Sequence, residues 1–96
     1  MNHLIDSAFL CLDIGSSAVH GIGDRVRNAR IVKSAMFVAE STDTVYAIKS
    51  VVDELESQIG RHFDNAYITG NFGESVFSIV AKNTIWSNEH KITAGD

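Results

Sequence analysis

Val45, Ile48, Val52, Leu55 and Ile59 recur at spacings of 3, 4, 3 and 4. An α-helix turns about 100° per residue, so these side chains fall on one stripe. Asp53, Glu54 and Glu56 fall on or near the far side. Ser41, Thr42 and Asp43 offer N-caps, and Gly60 stands where a chain leaves a helix through positive φ. The pattern predicts one helix over about residues 43 to 60. Its apolar stripe needs a sheet to cover it, and the strands that follow the helix are expected to supply that sheet.

The strand signals are shorter. Ala8 to Leu12 is a continuous apolar run ending at Asp13-Ile14-Gly15, the pattern of a strand buried on both faces. Strand character resumes at Ala18 to Ile22 after Gly15-Ser16-Ser17, so a tight antiparallel hairpin is expected. A polar turn over Asp24 to Asn28 then leads into Ala29 to Ala39, one long strand or two consecutive ones. After the helix, Asn65 to Thr69 reads as a buried strand and Gly70 to Gly73 as a turn. Ser75 to Ala81 and Thr84 to Trp86 read as two more strands. Pro is absent and Gly numbers 7, so the glycines are expected to mark turns. The fold class is α+β, with antiparallel strands and one main helix.

A chain of 96 residues with 45% hydrophobic residues can close a small core, as one domain or part of a larger one. Its net charge of −4 argues against nucleic-acid binding, which normally needs a basic stripe. Arg25, Arg27 and Arg30 read as a solvated hairpin tip. The single Cys11, inside the apolar run, reads as a buried small hydrophobe. One cysteine forms no internal disulfide, and the cytoplasm is its natural compartment. No signal-peptide pattern and no run of ~20 apolar residues is present. His3, His20, His62 and His90 are scattered, with no pair at metal-ligand spacing. Ser16 or Ser17 as a nucleophile, with His20 as base, lacks the strand-to-helix elbow and third member of a hydrolase site.

Asp13-Ile14-Gly15-Ser16-Ser17 is the segment with a chemical reading. A strand ends in an acid, Gly15 lets the backbone turn closely, and two hydroxyls follow. Successive N–H groups in such a turn form a concave anion site, and the serines add hydroxyl donors. Asp13, itself an anion, would not bind phosphate but would hold Mg²⁺ through water. The plainer reading is a hairpin turn in which Asp13 makes an Asx-type bond.

Leu12 to Ser17 resembles the phosphate-1 motif of the actin, Hsp70 and sugar-kinase superfamily. Within it, the downstream order is most similar to the bacterial cell-division protein FtsA: an amphipathic helix ending in acidic residues (Ala47 to Glu56), a strand and turn (Ala66 to Gly73), then a hairpin and Ile92-Thr93-Ala94-Gly95-Asp96. The resemblance implies a partial ribonuclease-H-like or actin-like fold. Residues 1 to 35 would open subdomain 1A, and residues 36 to 96 would form a 1C-like strand–helix–strand–strand unit. It implies ATP as cofactor, with Asp13, Gly15, Ser16 and Ser17 at the phosphates and Asp13 on magnesium through water. It also implies FtsZ and other division proteins as partners, self-association, and a place at the inner face of the cell membrane, reached through regions absent here. His20 stands where many relatives carry a lysine that reaches the phosphates. The second phosphate loop, the adenosine motif and the second Asp are missing, so no catalysis is expected from this chain alone. Thr93 to Asp96 has the form of a helix start, an expectation of truncation. Two alternatives stand beside this reading: a non-catalytic α+β interaction module, and an actin-like pilus-assembly ATPase fragment.

Overall fold

A computed structural model describes residues 5–70. The strands expected at 75–81 and 84–86, and the turn beyond Gly70, lie outside these residues. The described chain runs β1 (Asp6–Ile14), β2 (Ala18–Arg27), β3 (Arg30–Glu40), α1 (Thr44–Ile59) and β4 (Asn65–Gly70). One mixed sheet has the order β3-β2-β1-β4. The first three strands form an antiparallel meander, and β4 lies parallel to β1 with Phe9 opposite Asn65 and Ile14 opposite Gly70. A parallel neighbour needs a crossover, and α1 is that crossover. The fold is α+β, one helix packed on a four-stranded mixed sheet among the described residues. β3 continues unbroken through residue 35, and β4 joins the sheet of β1, so strands from before and after that position share one layer.

The helix is capped as its sequence predicts. Asp43 accepts a bond from the Tyr46 N–H at 3.1 Å, and Gly60 closes the helix at φ 81° with its N–H on Glu56 O. Its buried stripe widens to Ala47, Ile48, Val51, Val52, Leu55 and Ile59. Among the described residues the helix packs chiefly on β2 and β3, the strands before it, rather than on β4. Alternate residues of β1, from Ala8 to Ile14, and Ala66 and Ile68 of β4 complete the core, with Phe63 closing one end.

Two glycines sit in mid-strand rather than at turns. A Cβ on Gly21 would lie 2.2 Å from Val51 Cγ1, and one on Gly23 would lie 2.6 Å from Phe63 Cζ. Real Cβ atoms do not approach so closely. These positions let the helix backbone settle against β2.

The Ala8–Leu12 run is not covered on both faces among the described residues. Ala8, Leu10, Leu12 and Ile14 are buried under the helix, while Phe9, Cys11 and Asp13 project from the opposite, open face. Cys11 is therefore exposed, not a core residue. Period-two alternation of a strand makes this split obligatory once only one face has a covering layer.

The β2–β3 turn falls at Asn28-Ala29, later than the expected polar stretch. Both residues have positive φ, 53° and 66°, as a two-residue type I′ turn requires. Alanine pays a Cβ penalty there. Ala29→Gly is expected to stabilise the protein by about 1 kcal/mol, read from the urea midpoint at unchanged slope. A lower midpoint would contradict the turn geometry.

The arginines near this turn are not all solvated. Asp6 receives the Arg25 fork, Nε to Oδ1 at 3.1 Å and Nη2 to Oδ2 at 2.8 Å, while Arg25 Nη1 donates to Ile59 O at the helix end. Arg27 and Arg61 flank the same carboxylate at 3.5 and 3.8 Å. Arg30 remains exposed. The Arg25 hydrogen bond is the main cause that lowers the Asp6 pKa to about 2, against an ordinary 3.8. Between these values the unfolded chain binds the proton and the folded one does not. The contribution is thus present above about pH 4 and fades as the pH falls toward 2. Asp6→Asn should flatten the acid limb of stability in that window, measured as melting temperature against pH. An acid limb as steep as wild type would remove Asp6 as its cause.

Candidate functional site

Parallel strands bring their carboxyl ends to the same edge of a sheet, where ligands of open α/β sheets commonly bind. Here β1 ends at Ile14 and β4 at Gly70, side by side. The β1–β2 turn, Gly15 to Ser17, stands on that edge. Gly15 N–H donates to Ala18 O at 2.9 Å, closing the turn, and Ser41 N–H donates to Ser17 O at 3.0 Å, tying the turn to the end of β3. The Gly15 donor is therefore spent inside the hairpin. Gly15, Ser16 and Ser17 are exposed, and among the described residues the amides and hydroxyls of both serines have no protein partner.

Asp13 projects from the open face one residue before β1 ends, opposite His20 on β2 and Thr69 on β4. The Thr69 hydroxyl donates to Leu12 O at 3.3 Å, with Asp13 Oδ1 at 3.4 Å. The structure thus places Asp13 and the two serines on one rim, and it adds two residues that the motif did not single out. Thr69 flanks the carboxylate. Gly70, at φ 114°, lies so close to β1 that a Cβ would come within 2.2 Å of Ile14 O. A Thr-Gly pair ending a strand beside an Asp-Ile-Gly ending was the available signal, but only the parallel pairing makes the two adjacent.

Below this rim the open face carries a cleft of about 290 Å³, lined by Cys11, Asp13, His20, Ile22, Tyr67 and Thr69. It lies beside the turn rather than over it, and Asp13 is the phosphate-loop residue it shares. Three or more His, Cys, Asp or Glu side chains grouped to hold a bare metal ion do not occur among the described residues. An exposed carboxylate with hydroxyl and amide donors a few residues away suits a hydrated Mg²⁺ bound together with phosphate, since Mg²⁺ keeps most of its waters. The residues present therefore fit that pair.

The other charged groups near the helix end are structural. Glu56 turns inward, its Oε2 accepting from Phe63 N–H at 3.1 Å and its Oε1 from His62 Nδ1 at 3.0 Å. Asp64 Oδ2 accepts from Ala8 N–H, and both Asp64 carboxylate oxygens accept from Arg61 Nη2, so this Arg61–Asp64 pair fixes where β4 enters the sheet. No helix of the described residues is long and apolar enough to cross a membrane.

No protein-family model matches the chain, and no curated protein does. Among solved structures the chain is similar to a Ppx/GppA protein family member of Aquifex aeolicus, at 12% identity and a TM-score of 0.49 over 95% of this chain. It is also similar to the structure of an Aquifex aeolicus PPX-GPPA enzyme, at 12% identity and a TM-score of 0.46 over 94% of this chain. The chain spans 36% of the length of either structure.

Proposed function

We propose that this chain carries the first phosphate-binding turn of an actin-like nucleotide domain, in a division-type protein similar to FtsA. The observation that carries the reading is the shared rim at the carboxyl ends of parallel β1 and β4, where Asp13, Ser16 and Ser17 are exposed together. Ser16 and Ser17 would donate to the phosphates of ATP, and Asp13 would hold magnesium through water. Magnesium would supply charge neutralisation at the phosphates. His20, beside Asp13 on the neighbouring strand β2, would take the place of the phosphate-reaching lysine. With one side of the phosphate site present, binding is weak and hydrolysis by this chain alone is absent.

The division assignment rests on the ordered resemblance of Ala47 to Glu56, Ala66 to Gly73 and Ile92 to Asp96. In that reading the whole protein links FtsZ filaments to the inner face of the membrane through regions outside these 96 residues.

The test is a titration of the ¹⁵N-labelled chain with millimolar Mg-ATP. Shifts should concentrate at Ser16, Ser17, Thr69 and Gly70 and shrink in Ser16→Ala and Asp13→Asn. Amides that stay unmoved at this rim would sink the nucleotide reading. The division assignment is tested apart from it, by whether the natural protein that contains this chain co-sediments with FtsZ polymers.

A further inference from the structure

We infer that the outer end of the β2–β3 hairpin is a lipid-surface contact, its cations meeting anionic headgroups while its apolar side chains enter the headgroup boundary. This inference is independent of the nucleotide and division readings, the second of which reaches the membrane through regions outside these residues. From Arg25 to Ala39 the chain carries Arg25, Arg27, Arg30 and Lys33 and neither Asp nor Glu. The fold then gathers these cations. Arg25 lies opposite Lys33, and Arg27 opposite Arg30. In a regular strand residues 30 and 33 would face opposite ways, because side chains alternate. The register shift between Arg25 and Val26 leaves Val32 as an extra residue and so turns Arg30 and Lys33 to the same face. Elsewhere α1 covers that face, but the helix ends at Ile59, whose carbonyl accepts from Arg25 Nη1.

Two cross-strand pairs of like charge are unfavourable unless anions offset them. Asp6 is shared by Arg25, Arg27 and Arg61, and Asp64 is taken by Arg61. Asp24 projects from the other face, where it accepts from the Ser34 hydroxyl. Glu56 is turned to His62 and the Phe63 N–H. Glu40 stands at the far end of β3, roughly 30 Å from Arg30, against a screening length of about 8 Å. Among the described residues Arg30 and Lys33 are exposed with no carboxylate in ion-pair range.

The apolar side chains choose the partner. Ile5, bonded twice to Asn28 in the turn, is 66% exposed, Ile31 64% and Val32 50%. Ile31 pairs with Val26 and projects away from the cations. An acidic peptide would neutralise the cations but leave these three side chains in water, and the open-face cleft lies at the opposite end of β1 and β2. A lipid surface takes both sets at once without a matched shape, since long Arg and Lys stems let their heads stay at the phosphates.

Co-sedimentation of the whole chain with phosphatidylglycerol vesicles, against phosphatidylcholine vesicles, tests this. Binding should be confined to the anionic vesicles and fall as salt is raised. Arg30→Gln should weaken it about fivefold and Arg30→Gln/Lys33→Gln about 25-fold, the loss of one and two surface cations. Arg30→Lys/Lys33→Arg, which keeps the charge, should bind as wild type does. Ile31→Ser should weaken binding about fivefold through lost apolar contact. All these positions are exposed, and circular dichroism checks that each variant folds. No binding to phosphatidylglycerol vesicles at low salt would overturn the proposal. So would binding unchanged by the double neutralisation or by Ile31→Ser. Capture of soluble oligoglutamate without vesicle binding would make the hairpin end a protein-docking site and overturn it equally.

Discussion

Gly21→Ala is expected to destabilise the protein by about 3 kcal/mol, although the change is one methyl group. Propensity alone argues the other way, since alanine in mid-strand is favoured over glycine by roughly 0.5–1 kcal/mol. Packing decides the sign. The added Cβ would sit 2.2 Å from Val51 Cγ1 and 3.0 Å from Leu55 Cδ1, and both side chains are fully buried. Neither has solvent to move into, so the helix itself must lift from β2. Val51→Ala removes the colliding atom, and the double variant should recover part of the loss, giving a coupling of about 1 kcal/mol or more in a double-mutant cycle. Urea unfolding measures all four corners. A Gly21→Ala protein as stable as wild type would mean that the helix does not sit this close.

Phe63→Ala should cost about 3–5 kcal/mol, the range for emptying an aromatic from a core. Phe63 is 2% exposed and is the largest of the fully buried side chains among the described residues. Its ring lies against the space left open by Gly23, and its N–H is held by Glu56. Ring and glycine therefore form one unit that plugs the core where the helix hands over to β4. A domain of this size is typically stable by only about 5–10 kcal/mol, so the variant is expected to be partly unfolded at 37 °C. Thermal melting reads this directly. A drop of under 5 °C would show that the ring is not a core element. Leu at this position should retain more stability than Ala, because it refills part of the volume.

The helix was legible because its signal is local. The apolar spacing from Val45 to Ile59, Asp43 as cap and Gly60 as stop all lie within one window, and each matches the structure within a residue or so. The β1–β2 hairpin was legible for the same reason. What the sequence did not disclose depends on partners distant along the chain. Nothing near Asn65 announces that β4 will lie parallel to β1, so that, among the described residues, the helix packs chiefly on strands before it. Cys11 was assigned to the core because an unbroken apolar run looks the same whether one face or two are covered. Arg25 and Arg27 looked like a solvated tip because Asp6 becomes their neighbour only after the β1–β2 register is set. Gly21 and Gly23 carry no mark that separates a close-packed strand position from a turn.

The candidate site was half legible. Asp13, Ser16 and Ser17 are close in sequence, and all three are exposed at the β1–β2 turn. Thr69 and Gly70 join them only through the parallel seam, which no short-range pattern encodes.

That seam also orders the history of the site. β1, β2 and β3 can zip from two short turns, whereas Ile14 meets Gly70 only after the helix has crossed the sheet. Local pairings close at small entropic expense and distant ones late, so the meander forms ahead of the β4 junction. The same asymmetry acts in the native state. Loss of the β1–β4 pairing would take Thr69 and Gly70 from Asp13 while leaving Ser16 and Ser17 in place. The rim is thus a composite of an early half and a late half, and its readiness for a ligand is set by the later one.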